Sequence, residues 1–292
     1  MNKLLTLYFL FIGFLLHAQE QPIKFLPGLI SDGGSFGLTL SPDGKEAFWV
    51  RSNGLRDSLV IMQSRKVNQV WTRPEVASFS TKDGSWKDID PVFSPDGAMV
   101  LFQSTRPVPG HPGRKGFDIW AVKKTPTGWY QPYHLDAPLN SDASESYASM
   151  ANNGNIYFTK DNGNNQSDIY LSEYMNGKYS SPVNLGNGIN TKQRESNPFI
   201  SPGEDYLIYF STDESGFGET DLFISFNKRG NWSQPKNLGK PINSGAAEFC
   251  PFVHVREKRL YFTRQYRQGD RLIENIFYVP FDPKKYEMGD SK

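Results

Sequence analysis

An internal repeat constrains this chain more than any other feature. Glu195-Ser-Asn-Pro-Phe-Ile-Ser-Pro-Gly and Asp88-Ile-Asp-Pro-Val-Phe-Ser-Pro-Asp-Gly97 read almost as copies. Ser41-Pro-Asp-Gly44 is a third instance, and Ala151-Asn-Asn-Gly154 and His254-Val-Arg-Glu257 are worn versions. The turns begin at 41, 94, 151, 201 and 254, spacings of 53, 57, 50 and 53. A period of this length marks stacked supersecondary units, and it decides the fold before any single motif does.

Each unit follows one script. A short apolar strand enters a turn in which Pro fixes φ and Gly accepts positive φ. A second strand leaves it, as in Met99–Ser104 or Tyr206–Ser211, and a third begins at Asp118, Asp168, Asp221 or Asn275. An aromatic residue followed three positions later by Pro (Trp71/Pro74, Trp129/Pro132, Tyr179/Pro182, Trp232/Pro235) then leads into a fourth strand carrying Leu135, Leu185 or Leu238. Four short antiparallel strands at this period predict an all-β, five-bladed β-propeller with four-stranded blades. No segment sustains a helical period.

The fifth unit stops after its third strand, near Phe281, and the missing piece stands at the other end of the chain. Phe25 lies three residues after Pro22, as Leu238 lies three after Pro235, and Leu29 and Ser31 then match Ile242 and Ser244. Residues 22–31 are therefore expected to be the outer strand of the last blade, closing the ring and removing a free edge.

Composition enters through the ends and the charge. Lys3 precedes an apolar run of 13 residues, Leu4 to Leu16, with Ala18 as a small residue for cleavage. That run is short of the roughly 20 residues a spanning helix needs and fits a secretory leader. The reading is a signal peptide over 1–18, a single propeller over 19–285 and a tail over 286–292, exported to the periplasm or outer cell surface, with no membrane span. Loss of Lys3 takes the formal charge from +1 to 0, which gives no general attraction to nucleic acid. Cys250 is the single cysteine, so no disulfide forms within the chain. A monomer is expected.

The Ser-Pro-Asp-Gly repeats, over roughly residues 22–285, resemble the WD-like propeller repeats of TolB-type proteins, in an exported envelope protein of Bacteroidetes type. The resemblance implies a periplasmic or envelope-associated protein that binds an envelope protein or a cell-wall component through one face or the channel. TolB itself has six blades and an additional N-terminal domain, which this sequence does not offer.

Six residues before each turn serine or its counterpart stand Ser35, Asp88, Glu145, Glu195 and Glu248, and the second strands end near Arg51, Arg106, Lys160, Thr212 and Arg264. These acids and bases are expected to meet on one rim of the channel. Recurrence at one register favours hydrogen-bonded structural carboxylates; the functional reading is a polar funnel at the channel mouth. The loop Arg106–Gly116, basic and rich in Pro and Gly, offers Arg114 and Lys115 as partner contacts on the same face. The site reading is thus a ligand or partner face of Asp88, Asp90, Glu145, Glu195, Glu248, Arg51, Arg106, Arg114, Lys115, Lys160 and Arg264. No metal and no cofactor is called for: His111, His134 and His254 are scattered over three units and lack metal-ligand spacing.

The main expectation is a non-catalytic binding or scaffold propeller. The alternative is a carbohydrate-active enzyme, glycoside hydrolase-like, using Glu145, Glu195 or Glu248. Five-bladed propellers house such enzymes, but Ser35 and Gly37 stand here where they usually display an acid. Hydrolysis needs two carboxyl groups about 5–10 Å apart.

Overall fold

The computed structural model describes residues 20–287 apart from Pro109, Pro112 and Lys115. The stretch read above as a signal peptide, residues 1–18, and Lys115 therefore lie outside the described residues. The rest is a five-bladed propeller of small antiparallel sheets.

Blade 1 runs outward through Ser35–Leu40, Glu46–Ser52, Leu59–Val67 and Glu75–Val76; blade 2 through Asp88–Phe93, Met99–Ser104, Asp118–Thr125 and Tyr133–His134. Blade 3 uses Glu145–Met150, Ile156–Gly163, Gln166–Ser172 and Val183–Asn184, and blade 4 Glu195–Ile200, Tyr206–Ser211, Asp221–Lys228 and Lys236–Asn237. Blade 5 holds Ala247–His254, Arg259–Gln268 and Arg271–Pro280 from the C-terminal end, and Ile23–Lys24 as its outer strand. The first strands of successive blades touch in sequence, and that of blade 5 touches that of blade 1, so the circle is closed.

The ring closes as the spacing predicts, with one adjustment. Phe25 donates its amide to Ile276 at 2.8 Å, as Leu238 donates to Leu222 at 2.9 Å. Ser31, however, takes the place of Asn243 and not of Ser244. Its hydroxyl pairs with the backbone of Ile276, as the Asn243 amide pairs with that of Leu222. Ile30, fully buried, stands for Ile242. One more residue separates Phe25 from Ser31 than Leu238 from Asn243, and Leu26 at φ 44° accommodates a tight turn there.

The turns show why the repeat is legible. Gly44 and Gly97 sit at φ 69° and 71°, each donating its amide to the serine three residues before it. Ser41 and Ser94 donate their hydroxyls to Asp43 and Asp96, both at 2.6 Å. In Ser201-Pro-Gly-Glu204 the left-handed position falls on Glu204, at φ 59°. Its carboxylate accepts bonds from Asn153, Asn155 and Tyr157 of blade 3, which hold it there.

The apolar core lies between blades. One cluster joins Phe48, Ile61 and Phe79 of blade 1 to Phe93, Val100 and Phe102 of blade 2; another joins Ile119 and Leu135 of blade 2 to Ile156 and Phe158 of blade 3. The aromatic residues before each outer strand reach back to the preceding blade. Trp129 packs on Phe48, Phe79 and Phe93, Trp232 meets Tyr157 edge-on at 6.2 Å, and Trp71 meets Phe25 at 6.3 Å. These rings are the glue between neighbouring sheets.

Candidate functional site

The first strand of every blade carries a β-bulge, and the bulged residue is in the left-handed region. The ladder slips between Phe36 and Thr39, Ile89 and Val92, Ser146 and Ser149, Ser196 and Phe199, and Phe249 and Phe252. The positive-φ residues are Gly37 (62°), Asp90 (49°), Tyr147 (39°), Asn197 (56°) and Cys250 (49°). Side-chain-bearing residues adopt this conformation at a cost, and bulges commonly re-aim side chains beside functional sites.

These five residues converge on the axis. The Cys250 thiol is shared between Asp90 Oδ1 at 3.5 Å and Asn197 Oδ1 at 3.4 Å, and the Cys250 amide donates to Asn197 Oδ1 at 3.1 Å. The Tyr147 hydroxyl donates to Pro251 O of blade 5 at 3.0 Å. Gly37 is needed at its place, because a Cβ there would stand 3.0 Å from Asp90 Oδ1.

The structure corrects the expected charged rim. Asp88, Glu145, Glu195 and Glu248 are almost wholly buried and do not line the axial cavity. Three of them are held by the loop just before them. Glu145 accepts the Ser141 amide and hydroxyl, Glu195 those of Thr191, and Glu248 those of Ser244. Asp88 accepts Ser80 Oγ at 3.0 Å and the Thr81 amide at 2.8 Å. Burial pushes the Glu195 carboxyl above its ordinary range, against the bonds from Thr191 and Ser211. A Ser or Thr four residues ahead of the acid was the sequence signal for this structural role.

Three of the rim bases, Arg106, Lys160 and Arg264, are engaged with the same acids. Arg106 reaches Asp88 at 2.8 Å and lies over the rings of Trp86, Phe102 and Trp120. Arg264 meets Glu248 at 2.6 Å, and Lys160 lies 3.5 Å from Glu145. Arg114 pairs with Asp118 at 2.9 Å and lies 3.9 Å from Glu145, while Arg51 pairs with Asp32 at 2.7 Å. Buried acids need such partners, so Arg106 and Arg114 hold the blades' own carboxylates and are not free contacts.

Asp90 alone among the expected acids faces an open space. A cavity of about 590 Å³ opens on the axis, and Asp90, Asn197 and Cys250 belong to its wall. Phe36, Phe117, Phe210 and Phe249 line it together with hydroxyls and amides from Ser144, Thr159, Gln166, Ser196, Thr220 and Gln265. Its charged residues are Arg56, Asp90, Asp161, Arg194 and Glu219. Among the described residues, the one hydrogen-bond donor to the Asp90 carboxyl is the Cys250 thiol. Burial raises its pKa to about 6, with the Arg56 charge and that thiol pulling down and Glu274 pushing up.

Arg56 was not foreseen. It stands at φ 61° in the loop after Glu46–Ser52, a loop tied to the last blade by the Leu272 amide donating to Gly54. Its guanidinium bonds the buried Glu274 and, at 3.2 Å, Gln265, and it lies 4.6 Å over the Phe36 ring. Blades 1 and 5 are thus clamped beside Asp90. Burial also raises the Glu274 carboxyl, against the charge of Arg56. Nothing in the spacing of the repeat marks either residue, because both depart from it.

No family model matches the chain, and no curated relative matches it. Solved structures do match in backbone path. An endo-arabinase from Bacteroides thetaiotaomicron is similar with a TM-score of 0.58 at 16% identity, covering 94% of this chain and 100% of the other. A thermostable family-43 glycoside hydrolase gives 0.54 at 13% identity, covering 83% and 88%. A putative TolB from Agrobacterium tumefaciens gives 0.52 at 14%, covering 85% and 90%. At such identities the likeness establishes the propeller fold and nothing finer.

Proposed function

We propose that this chain is a carbohydrate-active propeller that takes a glycan in the axial funnel, with Asp90 as the group that handles the proton of glycosidic cleavage. The carrying observation is the Asp90 carboxyl itself: buried, bonded among the described residues only to a thiol, facing the cavity, with its pKa raised to about 6. A general acid works best when its pKa lies near the working pH. Aromatic rings beside hydroxyls and amides suit the apolar faces and hydroxyl edges of a sugar. The backbone likeness to glycoside hydrolases supports the same reading. Glu145, Glu195 and Glu248 are withdrawn as catalysts, since their oxygens are engaged inside the blades. Hydrolysis needs a second carboxylate; Asp161 and Glu219 share the cavity wall and are the candidates.

Incubation with a panel of arabinans, xylans and pectins tests this. Release of reducing ends by the wild type, reduced about 100-fold or more in Asp90→Asn, is the expected result. No release from any polysaccharide, or equal release by the variant, overturns it.

One observation favours a second reading, a non-catalytic binding module of the exported envelope, akin to TolB-type repeats. Of the five axial bulge positions, Asp90 alone carries an acid, so the bulges themselves present no carboxylate pair. Under this reading the funnel holds a cell-wall component or a segment of an envelope protein without cleaving it.

A further inference from the structure

Roles that recur with the repeat are structural, and a residue that breaks the repeat at the cavity wall invites a different explanation. Just before each of the five ring positions stand Gly34, Lys87, Ser144, Arg194 and Ala247. Ser144, Arg194 and Ala247 reach the cavity wall, and Arg194 is the charged one of these. Its backbone is fixed by a pair of bonds with Thr212, the Arg194 amide donating to Oγ1 at 3.1 Å and the Thr212 amide returning to Arg194 O at 3.2 Å. Its guanidinium lies 5.5 Å over the Phe210 ring.

That guanidinium has no hydrogen bond and no ion pair within 4.0 Å among the described residues, whereas Arg106, Arg114, Lys160 and Arg264 each lie against a buried acid. Phe210 supports one face of the planar group and leaves its edge of N–H donors for a visitor. Arg56 brings a second guanidinium to the same wall, its Nε buried without a partner. Burial lowers the pKa of Arg194, Asp161 opposes that fall, and the charge of Arg56 adds to it. Arg56 is paired with Glu274, so Arg194 is the guanidinium of this wall left open to an anionic visitor. A planar guanidinium fits a carboxylate through two parallel bonds, which an ammonium cannot do.

We propose that the funnel is shaped for an acidic glycan, and that Arg194 receives the carboxylate of a uronic acid unit. This rests on the glycan reading above and narrows it to a substrate class. Asp90, on the bulge of blade 2, then faces the glycosidic oxygen while Arg194, from blade 4, fixes the charged sugar. Arg194 is a specificity group and takes no part in bond breaking.

Calorimetric titration of the whole protein with oligogalacturonides, with the same oligomers methyl-esterified and with neutral arabinan oligomers tests this. The acid form is expected to bind about ten-fold more tightly than the ester, the size of one charge-assisted hydrogen bond. That preference should shrink as salt rises from about 50 to about 500 mM and vanish in Arg194→Gln. Arg194→Lys should restore only part of it, because the two-point fit is lost. Equal binding of acid and ester by the wild type, or an undiminished preference in Arg194→Gln, overturns the inference. If arabinan oligomers bind while the acid preference is missing, this inference fails and the glycan reading stands. If no oligomer of any kind binds, both fall.

Discussion

The Cys250 thiol, from the last blade, lies 3.5 Å from Oδ1 of Asp90, from the second, and shares its proton with Asn197 Oδ1 at 3.4 Å. Among the described residues it is the single hydrogen-bond donor to a carboxyl whose pKa burial has raised to about 6. The thiol's own pKa is driven well above its ordinary value, by burial first and then by the Asp90 charge. Cys250 is therefore a neutral donor that favours the ionised Asp90, with no nucleophilic role. Cys250→Ala should raise the Asp90 pKa and Cys250→Ser, a better donor, should lower it. Titration of the labelled Asp90 carboxyl by NMR reads both. If Asp90 acts as an acid, the activity limb that falls through about pH 6 should move with it.

The buried charge of Asp90 should also weaken the fold. The unfolded chain releases this proton near 3.8 and the folded protein near about 6. Between those values folding takes up a proton, so stability falls as pH rises, by up to about 3 kcal/mol. Asp90→Asn should accordingly be more stable than the wild type at pH 7.5, with the two converging below about pH 4. Urea midpoints across that range check it. A variant less stable at neutral pH would contradict this account.

Arg56, half-buried, pairs with the buried Glu274 between the first and last blades. Arg56→Met leaves a carboxylate that is 0% exposed without its cation and should cost about 3–5 kcal/mol. Arg56→Met combined with Glu274→Gln should recover most of that loss. A double-mutant cycle in urea measures the coupling, and additive losses would show that the clamp is not a pair.

Glu195 separates the structural acids from the candidate site. Glu195→Gln should cost about 1–3 kcal/mol through its bonds to Thr191 and Ser211, and leave glycan turnover per folded molecule unchanged. Denaturant unfolding and the polysaccharide panel read the two effects separately.

Trp129 ties blade 2 to blade 1. It packs on Phe48, Phe79 and Phe93, and its Nε1 donates to Glu46 at 3.2 Å. Trp129→Ala should cost about 3–5 kcal/mol, visible as an earlier unfolding midpoint. A loss near zero would mean that the blades hold without this ring.

The fold was legible because its punctuation is local. Pro42, Gly44, Pro95 and Gly97 mark turns wherever they stand, and their spacing counts the blades. The closing strand was legible through Pro22 and Phe25, and the register slipped only where the turn at Leu26 takes up an extra residue. The site was half legible. Strand alternation puts Asp88 and Asp90 on one face, and nothing in the sequence announces the bulge between Ile89 and Val92 that sends them to different places. One enters a network with Arg106, Ser80 and Thr81; the other turns to the axis. Arg56 and Arg194 escaped because repeat reasoning finds what recurs and passes over what does not.

The outer strand of blade 5 has a consequence for biogenesis. Ile23 and Lys24 pair with Tyr278 and Phe277, so a segment from the start of the chain must wait for a partner near its end. During vectorial synthesis the leading segment emerges with nothing to pair with, while four sheets can assemble behind it. The final sheet forms by joining the two ends, a contact of high sequence separation and therefore a slow one. Moving residues 20–31 behind Phe281 would make that last step local, and the permuted chain should complete its ring sooner.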